Sequence, residues 1–148
     1  MLDLRSLYQE VIVDHNRQPR NFGRLPHPTH HAEGFNPLCG DAINLDLAID
    51  NNTIDAISFD GHGCAISTAS ASLMTEILKG KTMQEAEKLF QLFHDALVND
   101  HCDDIEALGK LQVLLGVKDY PARIKCATLA WHALHAALHH TQQPISTE

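Results

Sequence analysis

Three cysteines and one aspartate stand in short clusters set far apart in the chain: Cys39-Gly40-Asp41, Gly61-His62-Gly63-Cys64 and Arg123-Ile124-Lys125-Cys126. Each falls where a strand or loop is expected to meet a helix. A fold that gathers these junctions brings three thiols and one carboxylate to one point. Three soft sulfur donors and one hard oxygen donor suit tetrahedral zinc or an iron–sulfur cluster. Gly40 allows the tight turn that lets Cys39 and Asp41 face one ion. Cys64 begins a helix, whose partial positive N-terminus favours the thiolate. Arg123 and Lys125 would offset part of the negative charge that three thiolates and a carboxylate leave on a bound zinc. The competing reading is plain core packing. Single cysteines are often buried, no two here form a C-x-x-C pair, and the wide spacing matches no compact zinc motif. Cys102, among His101, Asp103 and Asp104, reads as incidental.

The rest of the composition narrows the class. The chain has 148 residues, enough for one domain with a real core, spanning residues 1–148 with a polar tail from about Thr141. With 11 Lys+Arg against 19 Asp+Glu, its net charge of −8 argues against a nucleic-acid partner, which needs a cationic surface. No secretory signal and no membrane-spanning apolar run is visible. A cytoplasmic location is therefore expected. There, four cysteines read as metal-binding or redox groups more readily than as two disulfides.

Periodicity supplies the elements. Leu4, Leu7, Tyr8, Val11 and Ile12 predict a first helix ending near His15, followed by an irregular connection over residues 16–36. Ile43, Leu45, Leu47 and Ile49 alternate with Asn44, Asp46 and Ala48 as one strand. Asn51-Asn52 turns the chain into a second strand over 54–59. A helix after Cys64 carries Ile66, Ala69, Ser70, Leu73, Met74, Ile77 and Leu78 on one side and ends at Gly80. Thr82 and Glu85 predict a capping box for the next helix, with Ala86, Leu89, Phe90, Phe93 and Leu97 inward. The segment 105–115 is weakly helical. Pro121 opens a last helix that buries Ala127, Ala130, Trp131, Leu134, Ala137 and Leu138. This order predicts an α+β fold: a small antiparallel sheet packed on one face by several helices.

Two other patterns carry less. His31-Ala32-Glu33 resembles the H-x-E of zinc deaminases but lacks the P-C-x-x-C partner. His132, His135 and His139 share one side of the last helix, yet no cysteine or acid is evident beside them in sequence. They read as a solvated polar face.

Taken together, several blocks resemble the IscU/NifU-type family of iron–sulfur assembly proteins, and within it the SufU branch. They are Leu7-Tyr8 with Asp14-His15, Pro19-Arg20-Asn21-Phe22-Gly23, Asn36-Pro37-Leu38-Cys39-Gly40-Asp41, Gly61-His62-Gly63-Cys64-Ala65-Ile66-Ser67 and Arg123-Ile124-Lys125-Cys126-Ala127-Thr128-Leu129-Ala130-Trp131. The resemblance spans nearly the whole chain. It implies that Cys39, Asp41, Cys64 and Cys126 are metal ligands and that the fold is SufE/IscU-like. IscU-like scaffolds place a histidine directly before the third cysteine, after a proline-rich chaperone-recognition motif. Here Lys125 stands in that place behind Tyr120-Pro121-Ala122-Arg123, and a longer segment, about 80–116, separates the second and third cysteines. These departures point to the SufU-like members, zinc-dependent sulfur acceptors that serve a cysteine desulfurase. The resemblance thus implies a sulfurtransferase role with Cys39 as persulfide acceptor, zinc as cofactor, and a cysteine desulfurase and a downstream cluster-assembly scaffold as partners. The alternative is a scaffold that builds an iron–sulfur cluster on the same four residues and passes it on.

Overall fold

The computed structural model describes residues 4–99, 104–140 and 144–146. Its elements run α1 (Leu4–Arg17), β1 (His30–Asn36), β2 (Asp41–Asp50), β3 (Thr53–His62), α2 (Ala65–Leu78), α3 (Met83–Val98), a stretch of 3₁₀ turns (Ile105–Asp119), α4 (Pro121–Leu138) and β4 (Ile145–Ser146). The sheet order is β3-β2-β1-β4. The first three strands are antiparallel, as expected, but β4 runs parallel to β1 through Gly34↔Ile145 and Phe35↔Ser146, so the full sheet is mixed.

Strand alternation decides which residues meet the helices. In β2, Asp41, Ile43, Leu45 and Leu47 are all buried on one face. Packed over it is α4, carrying Trp131 and Leu134, and α2, carrying Leu73 and Met74, packs against α4 and the neighbouring β3. The Asn51-Asn52 turn is as predicted: both residues hold positive φ, 49° and 67°, the conformation of a two-residue hairpin turn. The Thr82/Glu85 capping box is formed, and Pro121 opens α4.

Three expectations are corrected. The supposedly irregular connection contains β1. Its inward residues are Ala32, Gly34 and Asn36, too small or too polar to display apolar alternation. The polar tail contributes β4, and its half-buried Ile145 packs on the core. Gly34 makes room for this, since a Cβ there would meet Ile145 Cδ1 and Leu129 Cδ1 at 3.0 Å. The weak helix before α4 is a 3₁₀ segment broken at Gly109 (φ 54°, ψ −129°). Leu108, Leu111, Leu114 and Val117 are its buried residues, a period of three that matches 3₁₀ geometry and dilutes an α-helical pattern. Cys102 lies outside the described residues.

On the opposite face of β2, polar contacts cover Asp46. Asp46, expected to face solvent, is fully buried. Its carboxylate accepts from Arg24 Nε (2.7 Å), the Leu25 N–H (3.2 Å) and His31 Nδ1 (2.7 Å). Burial alone would raise its pKa. The bonds from Arg24, His31 and Leu25 outweigh that and hold it below the ordinary carboxylate range. They also pin the connection between α1 and β1 across the sheet, and they occupy His31 in a structural role. Arg24→Ala leaves this buried carboxylate short of its charged donor. We expect a loss of about 1–3 kcal/mol in urea unfolding at neutral pH; an unchanged midpoint would show that the contact does not hold the connection.

Three histidines are pushed down, each chiefly by burial. His15 lies beneath Ser72, bonded through Nδ1 at 2.7 Å, and Arg20 lowers it further. His30 stacks on His140, and His132 lies against Phe90 and His94. A lowered folded-state pKa means that the unfolded chain takes up protons first as pH falls. Their contribution is complete above the unfolded value near 6.5 and is lost as pH drops below it. Unfolding free energy should therefore be lower at pH 5.5 than at pH 7.5 in screening salt. In His132→Gln the slope of that decline should be shallower. A flat profile in the parent chain would contradict this account.

Candidate metal centre

The β1–β2 hairpin builds one wall of the site. Asn36 and Asp41 are its last paired residues, and both point to the helix-facing side. Pro37-Leu38-Cys39-Gly40 closes the turn, with the Cys39 N–H donating to the Asn36 carbonyl (3.2 Å) and Gly40 at φ 68°. Cys39 is thereby held at the hairpin tip, half-buried, above the inward Asp41.

Two helix starts supply the rest. Cys64 caps α2, its Sγ accepting from the Ser67 N–H at 3.5 Å. The Cys64 N–H in turn donates to Asp41 Oδ1 at 2.8 Å. Gly63 is needed directly beneath this bond, because a Cβ there would stand 2.6 Å from the same oxygen. Cys126 enters from the second turn of α4 and is fully buried. Its Sγ lies 3.2 Å from that of Cys39.

The structure therefore brings Cys39, Asp41 and Cys126 together, with one donor atom of each within 4.8 Å of the others. Cys64 is not one of this trio and is tied to it through the bond from its backbone N–H to Asp41. Arg123 lies over the group, its Nη1 3.8 Å from Cys39 Sγ. The neighbouring thiols hold its guanidinium more firmly in the charged state. Lys125 is half-buried one residue before Cys126, and it makes no hydrogen bond or ion pair to these side chains.

Electrostatics make the cluster a receptor for a cation. Burial, together with the neighbouring Cys39, Cys64 and Asp41, pushes the Cys126 thiol far above its ordinary pKa. Left to itself it stays protonated. Two sulfurs and a carboxylate gathered where one thiol cannot ionise unaided, with Cys64 bonded to the same carboxylate through its N–H, fit a soft or borderline divalent ion. Sequence reasoning did not single out Asn36. It is fully buried, and its Nδ2 donates to Asp41 Oδ2 (3.1 Å) and to Cys126 Sγ (3.3 Å). Asn36 Oδ1 has no partner, an orphaned polar atom against the cluster. The signal was present only as a polar residue two places from Gly34 in a strand that the pattern did not reveal.

Comparisons with known proteins show the family. The profile of the NifU-like N terminal domain matches residues 7–127. The zinc-dependent sulfurtransferase SufU of Bacillus subtilis is 43% identical over 132 residues, covering 89% of each chain. The iron-sulfur cluster assembly scaffold protein IscU of Streptococcus pyogenes is 40% identical, covering 91% of this chain and 84% of its own. A crystal structure of a putative iron-sulfur cluster assembly scaffold protein for the SUF system, from Fervidobacterium islandicum, superimposes with a TM-score of 0.84 at 35% identity. It covers 90% of this chain and 98% of its own. The chain belongs to the IscU/NifU-like family of iron–sulfur cluster assembly proteins and falls within its SufU branch.

Proposed function

We propose that this protein accepts sulfur from a cysteine desulfurase and hands it to the downstream scaffold of cytoplasmic iron–sulfur cluster assembly. Cys39 is the acceptor, and Cys39, Asp41, Cys64 and Cys126 are the residues that would hold zinc. One observation carries the reading. A half-buried thiol at a hairpin tip lies beside a cationic guanidinium, while its sulfur neighbour 3.2 Å away is wholly buried.

The chemistry is a thiol exchange at sulfur. The Cys39 thiolate attacks the outer sulfur of the desulfurase persulfide. A new S–S bond forms at Cys39 as the old one breaks, and the desulfurase cysteine departs as a thiolate. Sulfur passes over with no net oxidation. The attacking group must be ionised, and bound zinc supplies the charge that keeps these thiols deprotonated near neutral pH. Arg123 steadies negative charge at Cys39. The family resemblance names Cys39 as the acceptor, and its half-buried place at the hairpin tip, against the fully buried Cys126, supports that reading. No helix among the described residues is long and apolar enough to cross a membrane.

The scaffold reading is kept by the 40% identity to an IscU-named relative. Metal and acid-labile sulfide in protein purified without oxygen separate the two. The acceptor reading expects zinc, no labile sulfide and a colourless protein. Iron with matching sulfide and a brown chromophore would put the scaffold first.

Cys39→Ala should abolish transfer of labelled sulfur from a desulfurase persulfide while the circular dichroism spectrum stays native. Undiminished transfer would remove Cys39 as acceptor. Gly63→Ala drives a methyl group into a carboxylate already tied by Asn36 and the Cys64 N–H. Zinc retention against a chelator should fall by at least about tenfold. Retention equal to the parent chain would mean that Asp41 is not a ligand.

A further inference from the structure

We propose that Glu87, His135 and His139 form a second metal site, separate from the cysteine cluster, for a divalent transition ion of borderline softness such as zinc. The histidine row had no acid beside it in sequence; the fold supplies one from α3. His135 and His139 lie one turn apart on α4. His135 Nδ1 is 3.1 Å from Glu87 Oε2, and His139 Nε2 is 3.0 Å from Glu87 Oε1. A donor atom from each residue lies within 4.8 Å of the other two. Ligands at zinc bond lengths stand roughly 3.4 Å apart around a tetrahedral ion, so small side-chain shifts admit one. Each imidazole offers its lone pair by carrying its proton on the opposite ring nitrogen.

The rings are already oriented. Phe90 stacks on His135 with centroids 5.3 Å apart and planes inclined by 22°, and the His135 and His139 rings are 4.4 Å apart. His132 is not part of the set, since it turns inward against Phe90 and His94. Two imidazoles and a carboxylate, with no sulfur, favour zinc, cobalt or nickel over the hard cations. Three protein ligands leave at least one position to water, so this is an open site. The side chains are 29%, 47% and 58% exposed for Glu87, His135 and His139, so the ion exchanges with solvent directly. Cys126 precedes His135 by nine residues, roughly 14 Å along α4, and the two centres share no ligand. An ion here clamps α3 to α4 and stabilises the native state by mass action.

The test is a cobalt titration of the full chain after the cysteine cluster has been loaded with zinc. We expect one further equivalent, with weak visible bands and no near-ultraviolet thiolate-to-cobalt band, and a rise in Tm. Glu87→Gln, His135→Gln and His139→Gln should each weaken it by about tenfold or more. His140→Gln should leave it intact. Absence of a second equivalent at millimolar cobalt overturns the proposal, as does undiminished binding in natively folded His135→Gln and Glu87→Gln, or a thiolate band. None of these outcomes depends on whether Cys39 accepts sulfur.

Discussion

The Asp41 carboxylate is the contact on which the arrangement of the site depends. One oxygen accepts from the Asn36 amide across the hairpin, and the other from the Cys64 backbone N–H at the start of α2. The same Asn36 amide reaches Cys126 on α4. One buried anion thus joins a hairpin end, one helix N-terminus and the first turns of another helix. Because it is buried, each of these bonds is costly to leave unmade. The junctions of three elements are held together for that reason, and the thiols they carry are brought into one group.

Charge then divides the labour among the thiols. The chain is acidic overall, yet a single arginine stands over the sulfurs. Cys126 is disfavoured as an anion by its surroundings, whereas Cys39 lies at a turn open to solvent and to Arg123. Three chemically identical side chains sit in different surroundings: Cys39 at the hairpin tip, Cys64 capping a helix and Cys126 in the interior. A cation resolves the repulsion that ionising all three together would create.

The second cluster follows from the same helix. α4 carries Cys126 in its second turn and His135 and His139 near its C-terminal end. Its middle is buried through Trp131 and Leu134, and the helix connects two groups of side chains that could hold a metal. Polar contacts elsewhere, such as those around Asp46, act on the fold and not on chemistry. They cover one buried carboxylate on the sheet face opposite the helices.

Much of this was legible before any coordinates. The alternation of residues 43–49, the Asn51-Asn52 turn, the Thr82/Glu85 box and Pro121 are local signals, and local backbone physics is enough to read them. The clusters holding Cys39, Asp41, Cys64 and Cys126 stood out as well, and the fold brings a donor atom of Cys39, Asp41 and Cys126 together. What the tertiary structure alone decided is non-local. β1 owes its strand to pairing with β2 and not to its own small inward residues. Asn36 became part of the site only when that pairing set it opposite Asp41. Glu87 met His135 and His139 only when α3 packed against α4, 48 and 52 residues apart in sequence. Asp46 kept the outward place in the strand pattern but was covered by a connection that no periodicity describes. A residue's own neighbours set its backbone, but its electrostatic partners come from wherever the packed elements meet.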